Sequence, residues 1–234
     1  MSASRVPAVL MVTGAYMPEL SGAGLQCRAL IGALGPNAAC EVLTTTTNAT
    51  LVTDDRQDGI AVHRVFVNPS SVWSKITAGW RMAGVMWRRR AAFRIVHLHG
   101  FSQKSILLIV LARLLGKTIV IKMTSIGHDD PQSIVRRGAV AAWCYRQARA
   151  LVGVSPGFAE ISRGVSWAVS RFRLIVNGVD LTRFQPASVG EKAALRRHLG
   201  LPEDRVIVLF IGFFSREKCP DVLMRAWLNL PPAV

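Results

Sequence analysis

IVHLHGFSQKSILLIVLARLLGKTIVIKMT, residues 95–124, reads as a strand, a helix and a second strand. Ile95 to His99 is a short, mostly apolar run; Ser102 can cap the helix that continues to Leu115, Gly116 closes it, and Thr118 to Thr124 is apolar again. Two strands joined by a helical crossover lie parallel, and a parallel sheet needs helices on both faces. Outward from this unit the alternation repeats, with expected strands at Ala8 to Thr13, Cys40 to Thr45, Ile60 to Val65, Leu151 to Val154 and Leu174 to Val176. Leu25 to Leu34 carries apolar residues at helical spacing, and Gly35-Pro36 stops it. Asp130-Pro131 and Ser155-Pro156 each pair a capping side chain with proline at the first helical position, where its missing N–H costs nothing.

These seven strands predict a complete Rossmann-like α/β domain over residues 1–178. Residues 179–189 read as a turn-rich linker, and residues 190–234 as the opening of a second Rossmann-like domain in helix, strand, helix order. Its expected elements are a charged helix at Glu191 to Leu199, an all-apolar strand at Val206 to Gly212 and a helix at Glu217 to Leu230. Val222, Leu223, Ala226, Trp227 and Leu230 share one face of that last helix, with no sequence left to cover them. A truncated second domain is therefore expected, in keeping with a length of 234 residues.

Lys and Arg number 29 against 14 Asp and Glu, and the resulting +15 balance favours phosphates, nucleotide sugars, anionic lipid head groups or nucleic acid. Solvated faces without a ligand explain the same balance, so the charge alone names no partner. No helix-turn-helix, RNP or zinc motif accompanies it, so specific nucleic-acid binding is not expected. Cys27, Cys40, Cys144 and Cys219 stand far apart, which fits reduced core thiols in a cytoplasmic protein better than a disulfide framework or a zinc site. The longest strongly apolar run, Ile106 to Ala112, is stopped by Arg113, far short of the roughly 20 residues a membrane span requires.

Candidate chemistry gathers at the expected carboxyl ends of strands, where open α/β sheets place ligands. The loop Thr13 to Gly24 ends in Ser21-Gly22-Ala23-Gly24 just before a helix, so its backbone can approach an anion or a sugar; an ordinary tight turn reads the same way. It lacks the GxGxxG and GK[ST] spacings of dinucleotide and NTP sites. His97 and His99 alternate to one face, either lining a cleft or hydrogen-bonded in the core, with the core reading favoured for His97. Gly127-His128-Asp129-Asp130 offers three titratable groups, less the capping role of Asp130. Trp73, Trp80 and Trp87 recur every seven residues among Arg81, Arg88, Arg89, Arg90 and Arg94. Such a helix either packs its indoles on the sheet, the reading preferred from sequence, or lies peripherally on an anionic membrane. Asp54-Asp55 and Asp129-Asp130 are adjacent pairs whose side chains diverge in extended chain, so no metal centre is expected.

Ile175-Val176-Asn177-Gly178-Val179-Asp180, followed by Arg183-Phe184-x-Pro186, is the most specific string. It resembles the interdomain hinge of the family 4 retaining glycosyltransferases of GT-B fold (group 1 type). Ala150 to Ser155 and Leu209 to Ala226 resemble further motifs of that family in the same order. The resemblance implies transfer of a sugar from a nucleotide sugar to a hydroxyl of a glycan or lipid-linked acceptor, without metal or other cofactor. It places Gly22, Gly24 and Asn177 at the donor-phosphate side of the cleft, His99 at the cleft wall and Lys218 on the donor diphosphate. The family arginine falls at Phe213, the glycine after the lysine at Cys219, and the family histidine near Ile126, with His128 two places on. The paired family glutamates fall beyond Val234, so this chain alone is expected to be inactive. The alternatives are a non-catalytic module binding an acceptor, phosphate or membrane surface, and a nicotinamide-dependent oxidoreductase. Thr44 to Asn48 offers no acidic residue for the ribose that the latter requires.

Overall fold

The computed structural model describes residues 6–212 and 214–230, and the chain divides into two compact units, Met1–Gly178 and Val179–Val234. The first is an eight-stranded sheet in the order β3-β4-β2-β1-β5-β6-β7-β8. Its strands are β1 (Ala8–Thr13), β2 (Ala39–Thr46), β3 (Asp54–Gln57), β4 (Ile60–Phe66), β5 (Ile95–His99), β6 (Thr118–Lys122), β7 (Ala150–Gly153) and β8 (Phe172–Leu174). All neighbours are parallel except β3, which runs antiparallel to β4.

Helices cover both faces. Leu10, Val12, Leu43, Val96 and Leu98 face α2 (Val72–Arg88) and α3 (Gln103–Leu114), while Val9, Met11, Val42 and Val62 meet Cys27 and Ile31 of α1 (Gly22–Leu34). The shorter helices α4 (Pro131–Arg136), α5 (Ala139–Arg146), α6 (Pro156–Arg163) and α7 (Ser166–Val169) lie along the later strands. Ser21, Ser71 and Asp130 cap α1, α2 and α4 through side-chain oxygens that accept from the first helical turn. Ser102 and Ser105 form a reciprocal capping box on α3.

Four expectations need correction in this unit. The sheet has eight strands, because Asp58 (φ 52°) and Gly59 (φ 80°) form a two-residue reversal that folds Asp54–Gln57 back onto β4. The sixth strand ends at Lys122 rather than Thr124, since the Asp129 carboxylate takes the N–H groups of Thr124 and Ser125. The last strand is Phe172–Leu174, not Leu174 to Val176, because β7 ends at Gly153, opposite Leu174. Finally, the indoles of α2 do not pack on the sheet. Ala78, Met82, Val85 and Met86 form its buried face, and Trp73, Trp80 and Trp87 are 77%, 65% and 52% exposed. Small and flexible residues on the inner stripe let α2 approach closely, and the heptad of tryptophans falls on the outer one.

In the second unit α8 (Val189–His198) opens with a capping box between Ser188 and Glu191, and α9 (Pro220–Leu228) follows a 3₁₀ turn at Arg216–Lys218. The strand expected over Val206 to Gly212 does not form; no other segment among the described residues pairs with it, and Val206, Leu209 and Ile211 stay exposed. It is not inserted in the first sheet either. The helix expected from Glu217 starts at Pro220 because Cys219 adopts a left-handed conformation, φ 50° and ψ 43°. Of its expected apolar face, Val222, Trp227 and Leu230 are exposed. Phe213 lies outside the described residues.

Candidate functional site

The carboxyl edge of the first sheet is built around the loop between β1 and α1. Its backbone carbonyls are held from several directions. The Thr45 hydroxyl donates to Gly14 O at 2.5 Å, those of Thr13 and Ser21 each donate to Ala15 O at 3.2 Å, and Arg64 Nη2 donates to Met17 O at 2.6 Å. Arg64 is 2% exposed and pairs with Asp55 through Nη1 at 2.9 Å. Asp54, its neighbour, goes instead to His63 Nδ1 at 2.5 Å, so the two carboxylates of β3 part company as extended chain requires. On the other side of Thr45, Lys104 Nζ donates to its Oγ1 at 2.8 Å. Buried Arg64 thus fixes the loop directly, and partly buried Lys104 steadies it through Thr45.

The two glycines expected to face an anion differ. Gly24 is buried, and a Cβ there would stand 2.5 Å from Ala15 O, so its missing side chain lets the loop fold onto the first turn of α1. Gly22 is exposed with nothing within 4 Å of a Cβ, and it is the one open to a ligand. Ser21 Oγ accepts from Gly24 N at 2.9 Å, which leaves the remaining first-turn N–H groups of α1 at this edge.

His99 ends β5, the strand beside β1, and is 6% exposed. His97 and His99 project to the α1 side of the sheet, opposite Val96 and Leu98, with ring centroids 4.6 Å apart. Among the described residues no group hydrogen-bonds to either nitrogen of His99 or to Nε2 of His97. Burial lowers both, His97 to about 4 and His99 well below its ordinary value; the neighbouring His97 adds to the effect on His99, and Lys122, the β6 residue opposite His99, adds to both. Both imidazoles are therefore neutral near pH 7. His97 lies mostly within the interior, as favoured from sequence, but among the described residues no hydrogen bond to its side chain is seen.

The loop after β6 is a scaffold rather than a cluster of free groups. Asp129 accepts from Thr124 N and Oγ1 at 2.8 and 2.7 Å and from Ser125 N at 2.8 Å, and the Tyr145 hydroxyl donates to its carbonyl. Asp130 accepts from Gly127 N at 2.7 Å and from Ser133 N and Oγ at 2.9 and 2.6 Å. Burial opposes ionisation of Asp130, yet the hydrogen bonds from Ser133 and Gly127 win and hold its pKa below the usual range. Of the three titratable side chains of the loop only His128 is exposed, with Arg137 Nη2 donating to its carbonyl at 2.7 Å and lying 3.3 Å from its Nδ1. This loop meets the β5 end at Gly100, whose φ of 86° needs glycine and whose Cβ would lie 3.3 Å from Thr124 Oγ1.

Gly22, His99 and His128 thus share one edge of the sheet. Asn177 lies in the exposed connection after β8, and Lys218 in the second unit, where it is exposed on the 3₁₀ turn. Thr45, Arg64 and Lys104 were not singled out from sequence. A positive residue inside the apolar run of β4 was a visible signal for Arg64 only. Among the described residues no helix is long and apolar enough to cross a membrane. Cys27 and Cys144 are buried thiols, Cys40 is partly buried and Cys219 is exposed, so the core-thiol expectation fails for Cys219.

The family model for the glycosyl transferase 4-like domain matches residues 21–178. A curated D-inositol 3-phosphate glycosyltransferase 1 from Catenulispora acidiphila is 29% identical over 204 residues, covering 74% of this chain and 43% of the relative. Among solved structures, sucrose-phosphate synthase from Thermosynechococcus elongatus superposes with a TM-score of 0.71 at 17% identity, over 96% of this chain and 60% of that one. HepE from Anabaena, solved with UDP and glucose, gives 0.67 at 15% identity, over 97% and 59%. The chain spans less than two thirds of the length of these proteins, 43% of the curated relative and about 60% of each solved chain.

Proposed function

This chain belongs to the glycosyl transferase 4-like family, and on that premise we propose that residues 1–178 form the acceptor side of a retaining GT-B enzyme. The reaction is transfer of a sugar from a nucleotide sugar to a hydroxyl of a glycan or lipid-linked acceptor. The observation that carries the reading is His99: buried, neutral and unpartnered at the end of β5, on the same sheet edge as the open Gly22 turn. The neutral imidazole has hydrogen-bonding capacity to spare, and an acceptor hydroxyl that displaces the packing over its ring nitrogens can bond to it. Lys218 supplies positive charge for the departing nucleoside diphosphate, and Gly22 and Asn177 line the donor side. In this reading the transfer needs no metal or other cofactor, and His128 is a second candidate catalytic residue.

The test is acceptor-dependent release of nucleoside diphosphate from UDP-, GDP- and ADP-sugars, assayed on the gene product with any reading frame that continues past codon 234. Release that His99→Ala lowers at least a hundredfold, within the range for a positioned proton-transfer group, is the expected result. No release from any donor would overturn the reading and leave a non-catalytic binding module. The 234-residue chain alone is expected to show background release, because Lys218 is the only donor-side cation assigned to it.

A cytoplasmic protein held peripherally on an anionic membrane is part of the same reading, since Trp73, Trp80 and Trp87 stand outward among Arg81, Arg88 and Arg90. Co-sedimentation with phosphatidylglycerol vesicles, but not with phosphatidylcholine, is expected. Trp73→Ala with Trp87→Ala should lower the bound fraction about tenfold at two interfacial indoles. Equal binding to both lipids would remove the membrane part.

A further inference from the structure

A groove of about 870 Å³ runs between α2 and α3 at the carboxyl edge of the sheet. Val72, Ile76, Trp80 and Leu107 give it apolar walls, Lys75 stands on its rim, and Lys104 and Thr45 form its base. Among the described residues no carboxylate lines it. The Lys104 ammonium carries three donors and spends one, on Thr45 Oγ1 at 2.8 Å; among the described residues it meets no counter-ion. Thr45 Oγ1 is itself committed, donating to Gly14 O. A cation placed this way costs desolvation that an anion in the groove would offset.

We propose that this groove binds one amphiphile by its phosphate, the phosphate on Lys104 and Lys75 and the apolar tail along Val72, Ile76 and Trp80. The charge arrangement selects the phosphate, since both titratable groups on the groove are lysines. Burial brings Lys104 down to about 8, which leaves it mostly protonated at neutral pH and poorly hydrated, as an anion-binding lysine should be. The walls select the tail: Trp80 is 65% exposed and Ile76 46%, with no described segment of the first unit laid over them. The site stands whether or not the chain takes part in sugar transfer; if it does, the ligand is the acceptor and the groove specifies a phosphate-bearing one.

Calorimetric titration of the 234-residue chain with n-octyl phosphate, below its micelle-forming concentration, tests this directly. Inorganic phosphate and 1-octanol serve as the two halves of the ligand. Octyl phosphate is expected to bind at least tenfold more tightly than either half. Lys104→Met should weaken octyl phosphate at least tenfold and leave 1-octanol within twofold, and Lys192→Met, a charge-matched change on the second unit, should have no effect. Ile76→Glu, at a half-exposed position that does not enter the core, puts a carboxylate on the wall and should also weaken octyl phosphate at least tenfold; it keeps the test decisive if Lys104→Met does not fold. Inorganic phosphate as tight as octyl phosphate, binding seen only above the micelle-forming concentration, or unchanged affinity in Lys104→Met or Ile76→Glu would each overturn the proposal.

Discussion

Arg64→Leu is expected to destabilise the first unit by about 3 kcal/mol, read as a lower urea midpoint with an unchanged slope. The guanidinium donates to Met17 O at 2.6 Å and to Val52 O at 3.3 Å, and each is part-buried. Leucine fills similar volume but takes the donor from both carbonyls; water can replace it at Val52, which is 65% exposed, while the more enclosed Met17 O becomes an orphan at roughly 1–3 kcal/mol. It also strands Asp55, whose remaining partners are Gln57 and the Arg56 N–H. The same change unfastens the β1–α1 loop from β4, so cleavage by a non-specific protease should move to residues 14–21. A midpoint shift worth less than about 0.5 kcal/mol, typical of a surface substitution, would mean that Arg64 does not hold this loop.

Gly24→Val and Gly22→Val form the second pair. At position 24 a Cβ would stand 2.5 Å from Ala15 O and 3.0 Å from Ser21 Oγ, and that carbonyl is fixed by the hydroxyls of Thr13 and Ser21. The backbone must shift or the Ser21 cap must be lost; overpacking costs roughly 1–3 kcal/mol and the cap about 1 more. A loss of about 3 kcal/mol is therefore expected for Gly24→Val, measured by thermal denaturation. Gly22→Val should stay within about 0.5 kcal/mol, because nothing lies within 4 Å. Equal losses at the two positions would refute the assignment of Gly24 to packing and Gly22 to ligand approach.

Local signals carried the first unit. Apolar runs, Pro at first helical positions and the Ser, Asp and Gly caps placed β1, β5, α3, α4 and α6 to within a residue or two at most boundaries. Asp58-Gly59 was an available hairpin signal that went unread, and β3 was missed with it. The indoles of α2 misled because a seven-residue repeat defines a stripe without saying which way it faces. Val206 to Gly212 misled for another reason: apolar, β-branched sequence favours a strand only where a neighbour can receive its hydrogen bonds. At the site, strand ends and glycines pointed to the right edge. Arg64, Thr45 and Lys104 were illegible because their roles depend on contacts up to 59 residues apart.

The reversed ribbon Asp54–Gln57 also governs how the protein behaves in a crowded solution. An open sheet invites strangers to extend it at its rim. Here one rim is a four-residue piece, DDRQ, whose acidic side chains are held by His63 and Arg64, and the other is a stub of three residues. Neither margin offers the long, flat, greasy template on which fibrils are seeded, so self-association through this layer is discouraged by its own borders.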